Sequence, residues 1–301
     1  MLFIIGVLLS AGLFLIFRTF HQFKINTFQA IVCNYWTCVL TALLYIGNLD
    51  TLKLISWDLL WVKVPFLLGF LFIGTFYLMG FVAQNVSVSA SSVAAKISLI
   101  IPVLFNLMLF ENQKKFDFIN YLGLILVFVA IFFTSSKDET EARRQSSWKN
   151  LFWIFLIFLM SGAIDTSINW VSSVSATDTT SQAIFSMLIF AVAGVIGLFI
   201  LLQKVIFRKE KIQLKNLVAG AILGVVNYFS VIFMIKSLQI EFAGNGALFF
   251  PIFNIAVILI STLFAVLFFK EKLNLRNKIG ILLAILAIIC MAYQDVGNYF
   301  R

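Results

Sequence analysis

Ten long apolar stretches, separated by short polar ones, run the length of the chain. The first five are Leu2–Phe17, Thr27–Ile46, Val64–Ala83, Val86–Phe110 and Phe116–Thr134. The second five are Leu151–Val171, Ala183–Leu202, Leu217–Ile235, Ala243–Phe269 and Ile279–Tyr293. A helix rises ~1.5 Å per residue, so about 20 apolar residues cross the ~30 Å hydrocarbon core of a bilayer. The first stretch is short for a span and the last borders on it. The pattern predicts an all-α, polytopic membrane protein with ten transmembrane helices. Met1–Phe17 has the length of a signal peptide. It lacks a positive n-region and a small-residue cleavage site before Arg18, so it is kept as the first span.

The longest polar run, Ser135–Asn150, divides the chain almost in half. The expected organisation is a five-helix repeat over residues 1–134, a solvated linker over 135–150 and a second five-helix repeat over 151–301. The halves share features in the same order. Phe28-Gln29-Ala30-Ile31 opens the second span and Ser181-Gln182-Ala183-Ile184 the seventh. Gly74 near Tyr77 matches Gly224 near Tyr228. Small polar residues begin the fourth and ninth spans, at Ser89–Ser92 and Ala243–Gly246. Gly123 and Gly280 follow charged turns before the fifth and tenth. Five spans per half is an odd number, so the second half must enter the membrane inverted. Inverted repeats are a transporter signature and place the substrate near the midplane.

Composition supports the membrane reading. The chain is 62% hydrophobic and 12% charged, with a mean hydropathy of +1.04. Soluble domains run at about 45–50% apolar and about 25% charged. The net charge of +9 does not point to nucleic acid, because the basic residues lie in the loops. Fifteen of the 22 Lys and Arg residues follow odd-numbered spans and six lie in the other loops and termini; the last is Lys96. The positive-inside rule makes the richer side cytoplasmic and puts both termini outside. Cys33, Cys38 and Cys290 sit in apolar spans without metal-ligand spacing and read as small packing residues. With one histidine, His21, there is no obvious metal site, and nothing implies a cofactor. A Gly-rich phosphate loop, a nucleophile elbow and a paired carboxylate are all lacking, which argues against an enzyme.

Lys96 stands near the middle of the fourth span, ahead of Pro102. A lysine at the bilayer centre costs roughly 2.5–3.5 kcal/mol on insertion scales. Such a residue persists where it faces water, a partner or a ligand. Here it suggests a cavity cation for a carboxylate or phosphate, against a snorkelling or structural lysine. Asp165 is the acid placed deepest in an apolar segment, a candidate for a proton, a substrate amine or Lys96 itself, against a residue reaching the far interface. Tyr77, Asn227 and Tyr228 lie on the repeat-related third and eighth spans. Asn245 and Asn254 flank Pro251 in the ninth. Asparagines in spans also serve as interhelical glue, and Gly220–Gly224 and Gly194–Gly197 read as close-packing pairs.

Ten spans, a five-plus-five repeat and small polar openings to spans four and nine together resemble the drug/metabolite transporter superfamily, with the EamA-type permeases the nearest branch. The local match is Leu267–Gly280, where Glu271, Lys272 and Gly280 follow the apolar end of the ninth span; Glu111 and Lys114 hold a degraded version in the first half. The resemblance implies a cavity lined by both halves, peripheral fifth and tenth helices and a metabolite as cargo. It also implies cytoplasmic termini, contrary to the charge count. The first span has no acid, which argues against proton-coupled export of lipophilic cations. The expected protein is an inner-membrane permease for a small organic anion or zwitterion, such as an amino acid or related metabolite, bound by Lys96, Asp165, Tyr77, Asn227, Tyr228, Asn245 and Asn254. Its partners are the substrate and the bilayer, with a homodimer left open. The rival readings are a nucleotide-sugar or phosphate-ester exchanger, a lipid-linked carrier or flippase, and a non-transporting scaffold.

Overall fold

The structure is a computed structural model and describes residues 1–85, 95, 98–109, 117–135, 148–176, 178–269 and 275–299. Among the described residues every regular element is helical. The α-helices are α1 (Leu2–Gln22), α2 (Thr27–Ile46), α3 (Leu60–Asn85), α4 (Ile100–Leu109), α5 (Phe118–Ser135), α6 (Trp148–Val174), α7 (Thr179–Arg208), α8 (Leu214–Lys236), α9 (Gly246–Phe269) and α10 (Leu275–Tyr299). Six of them, α2, α3, α6, α7, α8 and α9, contain segments long and apolar enough to cross a membrane. Shorter apolar segments of 10–17 residues lie in α1, α5 and α10.

Polar side chains define the helix starts. Asn26 caps α2 by accepting from the backbone N–H groups of Phe28 and Gln29. Asp178 does the same for α7, accepting from Thr180 and Ser181 at 2.9 Å each. Three helices run well beyond the apolar stretches that predict them. α1 continues to Gln22, α7 to Arg208 and α10 to Tyr299, each by about one to two turns of mixed sequence. Backbone hydrogen bonding carries a helix past the point where hydropathy falls, so the polar ends of these spans are invisible to an apolar count.

The chain forms two compact units. The first takes Met1–Tyr77 and Ser167–Glu241, the second Leu78–Thr166 and Phe242–Arg301. In the first unit α2 is central and packs on both α7 and α8, while α1 packs on α8. The register of each pair follows from named contacts. Gly220 of α8 lies against Ala30 and Cys33 of α2, and Gly224 against Asn34 and Thr37, so α2 and α8 run parallel. Phe28 sits beside Lys204, while Gly197 packs on Val32 and Gly194 on Tyr35, so α2 and α7 run antiparallel. Gly69 of α3 meets Val192 of α7, and Ile73 meets Gly197, so α3 and α7 run parallel.

Close approach sets these pairs. A Cβ on Gly220 would stand 2.4 Å from the Ala30 carbonyl oxygen, and one on Gly224 would stand 2.6 Å from that of Asn34. Two of the three cysteines, Cys33 and Cys38, serve the same seam. Cys33 Sγ donates to the Leu217 carbonyl and Cys38 Sγ to that of Gly224, both at 3.2 Å. They are packing residues, as their place in apolar spans suggests.

In the second unit α4 packs on α9, α5 on α10, and α9 on α10. Asn120, in the first turn of α5, donates to the Cys290 carbonyl of α10 at 3.4 Å. Phe249, Phe250 and Phe253 are buried together on α9.

Candidate functional site

The polar residues of the first unit fall into three groups along its helices. The first group lies where α2 begins, α7 ends and α8 begins. Gln29 is buried there and all its hydrogen-bonding capacity is used. Its Nε2 donates to Glu210 Oε1 at 2.9 Å and to the Lys211 carbonyl at 3.0 Å. Its Oε1 accepts from Asn216 Nδ2 at 2.7 Å and from the Gln213 N–H at 3.3 Å. Asn26 Nδ2 donates to the same Glu210 oxygen at 2.8 Å, and its N–H donates to Asn216 Oδ1 at 3.0 Å. These amides and one carboxylate tie three helix ends into one block. Lys24, Lys204, Arg208, Lys209, Lys211 and Lys215 belong to the segments that meet here.

The second group is the seam between α2 and α8. Asn227 Nδ2 donates to Asn34 Oδ1 at 3.2 Å, both residues buried. Tyr35 and Tyr228 are fully buried, and among the described residues neither hydroxyl has a hydrogen-bond partner. Thr75 Oγ1 and Ser172 Oγ in the same unit are likewise buried without partners among the described residues. Buried hydroxyls are normally satisfied, by protein or by ordered water. Four such groups mark this unit as polar inside where an apolar bundle would suffice.

The third group lines a cleft of about 620 Å³. Its walls are Phe28, Ile73, Gly74, Tyr77, Ile200, Gln203, Lys204, Phe207 and Arg208. Ile200, Gln203, Lys204, Phe207 and Arg208 recur at the three- and four-residue spacing of one α7 face. Lys204 Nζ stands 3.8 Å from the centroid of the Phe28 ring, a cation–π contact. Among the described residues no carboxylate lines the cleft. Glu210, two residues past Arg208, is engaged by Asn26 and Gln29. The cleft therefore joins two cations, an amide and a phenol to an apolar floor.

The sequence-predicted site residues are distributed between the units. Tyr77, Asn227 and Tyr228 belong to the first. Tyr77 lines the cleft and is 57% exposed; Asn227 and Tyr228 lie in the α2–α8 seam and do not line it. Asp165, Asn245 and Asn254 belong to the second. Asn245 accepts the Leu248 N–H at 3.2 Å and so caps α9, and Asn254 Nδ2 donates to the Phe250 carbonyl one turn back at 3.0 Å. Asp165 is half-buried on α6, one turn past Gly162. Lys96 lies outside the described residues, as do Ser89–Ser92, Glu111, Lys114, Glu271, Lys272 and residues 136–147 of the linker.

Sequence reasoning misses Asn34, Lys204 and Arg208. Asn34 is a lone amide inside an apolar span, and its partner across the seam emerges only with the register of α2 on α8. Lys204 and Arg208 count as loop charges when the apolar stretch is ended at Leu202. Their four-residue steps from Ile200, which put all three on one helix face, are the available signal.

The fold is thus all-helical among the described residues, with six helices able to span a membrane. No family model matches the chain. An uncharacterized protein of Haemophilus influenzae is 29% identical over 229 residues, which is 76% of this chain and 74% of that protein. A protein of known crystal structure superposes with a TM-score of 0.73 over 97% of this chain and 96% of its own, at 11% identity. That likeness concerns fold alone.

Proposed function

We propose that this chain is a ten-span transporter of the bacterial inner membrane, built as two inverted five-helix repeats like the EamA-type permeases of the drug/metabolite transporter superfamily. Its cargo in this reading is a small organic anion or zwitterion. One observation carries the proposal: the helix pairing within each unit is compatible with exchange of the halves. Exchange sends α2 onto α7, α3 onto α8, α4 onto α9 and α5 onto α10. A two-fold relation lets related helices pair across its axis, and α2 packs on α7, α4 on α9 and α5 on α10. It also turns a parallel α2–α8 pair into a parallel α7–α3 pair, and both occur. Each of the two pairs has a glycine at its contact, Gly220 in the first and Gly69 in the second. Inversion requires the related helices α2 and α7 to be antiparallel, which their contacts support.

Lys96 supplies the anion-binding charge in this reading and Asp165 binds an amine or a coupling proton. Asn227, Asn245 and Asn254 each make a hydrogen bond within the protein, so their first task is holding helices. The unpartnered hydroxyls of Tyr35, Thr75, Ser172 and Tyr228 offer polar groups inside the bundle at no cost of a broken bond. Alternating access follows from rocking of the repeats about a fixed site.

A thermal-shift screen of the purified protein against amino acids, carboxylates and phosphate esters tests the cargo class. Binding to the folded state adds about 2.7 kcal/mol at a hundredfold excess over the dissociation constant. The proposal expects stabilisation by members of one anionic or zwitterionic class, lost in Lys96→Ala. Stabilisation by lipophilic cations instead would overturn it.

A further inference from the structure

We infer that the cleft between α2, α3 and α7 is a binding site for the headgroup of an anionic phospholipid. The inference rests on α2, α3 and α7 spanning the membrane and is independent of transport. Three features of the cleft lead to it. First, its polar wall is cationic. Lys204 and Arg208 lie one turn apart on the same face of α7, with Gln203 and the Tyr77 hydroxyl as further donors and, among the described residues, no acid in the lining. Second, it stands at the end of its unit where the segments that meet carry six basic residues, which the positive-inside rule assigns to the cytoplasmic surface. Basic pockets between transmembrane helices on that side suit anionic headgroups. Third, the rest of the lining is apolar, and the neighbouring residues of α7 are exposed hydrocarbon. Phe207 is 80% exposed and Ile206 66%, on a helix long enough to span the bilayer. A soluble anion has no use for such a surface, whereas an acyl chain continuing from a bound headgroup would cover it.

The phosphate diester sits between Lys204 and Arg208. Phe28 holds the Lys204 ammonium from below, and the glycerol and first methylenes run over Ile73, Ile200 and Phe207. Arg208 suits the phosphate because its planar fork can donate two parallel N–H groups. The Glu210 carboxylate does not compete, because Asn26 and Gln29 hold it.

The test is titration of detergent-solubilised full-length protein with fluorescent phosphatidylglycerol, with fluorescent phosphatidylcholine as the neutral control. Saturable binding of phosphatidylglycerol alone is expected. Near an anionic surface each basic residue contributes about a factor of five, so K204Q/R208Q should weaken binding roughly thirtyfold. K209Q/K211Q removes equal charge just outside the cleft and should change affinity little. Phe28→Ala leaves both cations in place and should weaken binding through loss of the shelf under Lys204. Equal weakening by the two charge-removing pairs would reduce the effect to diffuse attraction and overturn the site. Displacement of the lipid by glycerol phosphate at comparable concentration would assign the cleft to a soluble anion instead. Wild-type affinity in Phe28→Ala would also refute it. None of these readouts measures flux, so failure here and failure of the transporter reading are distinguishable.

Discussion

Gln29 shows how one side chain can decide a local fold. Its amide joins Glu210, Lys211, Gln213 and Asn216 with no donor or acceptor to spare. Replacing it with leucine keeps the volume and strands Asn216 and the Lys211 carbonyl. The expected loss is about 1–3 kcal/mol, read as a lower melting temperature in detergent. Asp178 is a simpler case at the start of α7. Burial pushes its carboxyl pKa up, but hydrogen bonds from the Ser181 side chain and from the backbone of Ser181 and Thr180 outweigh it and leave the pKa lowered. A group whose folded pKa is depressed contributes stability above its unfolded value and loses it as pH falls through the folded one. Asp178→Ala should therefore destabilise by ~0.5–2 kcal/mol at neutral pH. The gap from wild type should close as pH drops below about 3.9, the unfolded carboxyl value. A gap that persists at lower pH would show that the carboxylate charge is not what caps α7. The sequence displays both residues, and the cap of α7 is a local signal. The Gln29 network is not legible there, because its partners lie more than 180 residues away.

At the scale of elements, the α2–α8 seam is the tightest part of the first unit. Gly224 to valine would drive two methyl groups into the Asn34 carbonyl and Thr37, each of which has an atom 2.6 Å from where a Cβ on Gly224 would stand. Overpacking of this kind costs typically about 1–3 kcal/mol. It should also break the Asn227–Asn34 hydrogen bond, so Gly224→Val and Asn227→Ala should be less than additive in a melting double-mutant cycle. Strict additivity would contradict the shared seam. The apolar runs predict where the helices lie, and the small-residue pairs predict where they touch. Helix ends are the weak point. α7 extends past Leu202 to Arg208, and the cleft with its two cations lies in that overrun. Hydropathy marks where a helix enters hydrocarbon, while capping and backbone hydrogen bonds decide where it stops.

Across the molecule, each unit draws helices from both halves of the chain. No count along the sequence could reveal that, because hydropathy carries no information on which helix meets which. The proposed repeat rests in the sequence on weak matches in order, and the packing of α2 on α7, α4 on α9 and α5 on α10 is compatible with it. Under the proposed transport reading, Lys96 is the charge about which both repeats rock. Uptake into liposomes holding the purified protein tests this most directly, with a mixture of radiolabelled amino acids and carboxylates outside. Saturable uptake by the wild type is predicted, with none in a Lys96→Ala variant that reconstitutes to the same level. Uptake at the wild-type rate in that variant, or none in either protein, would contradict it.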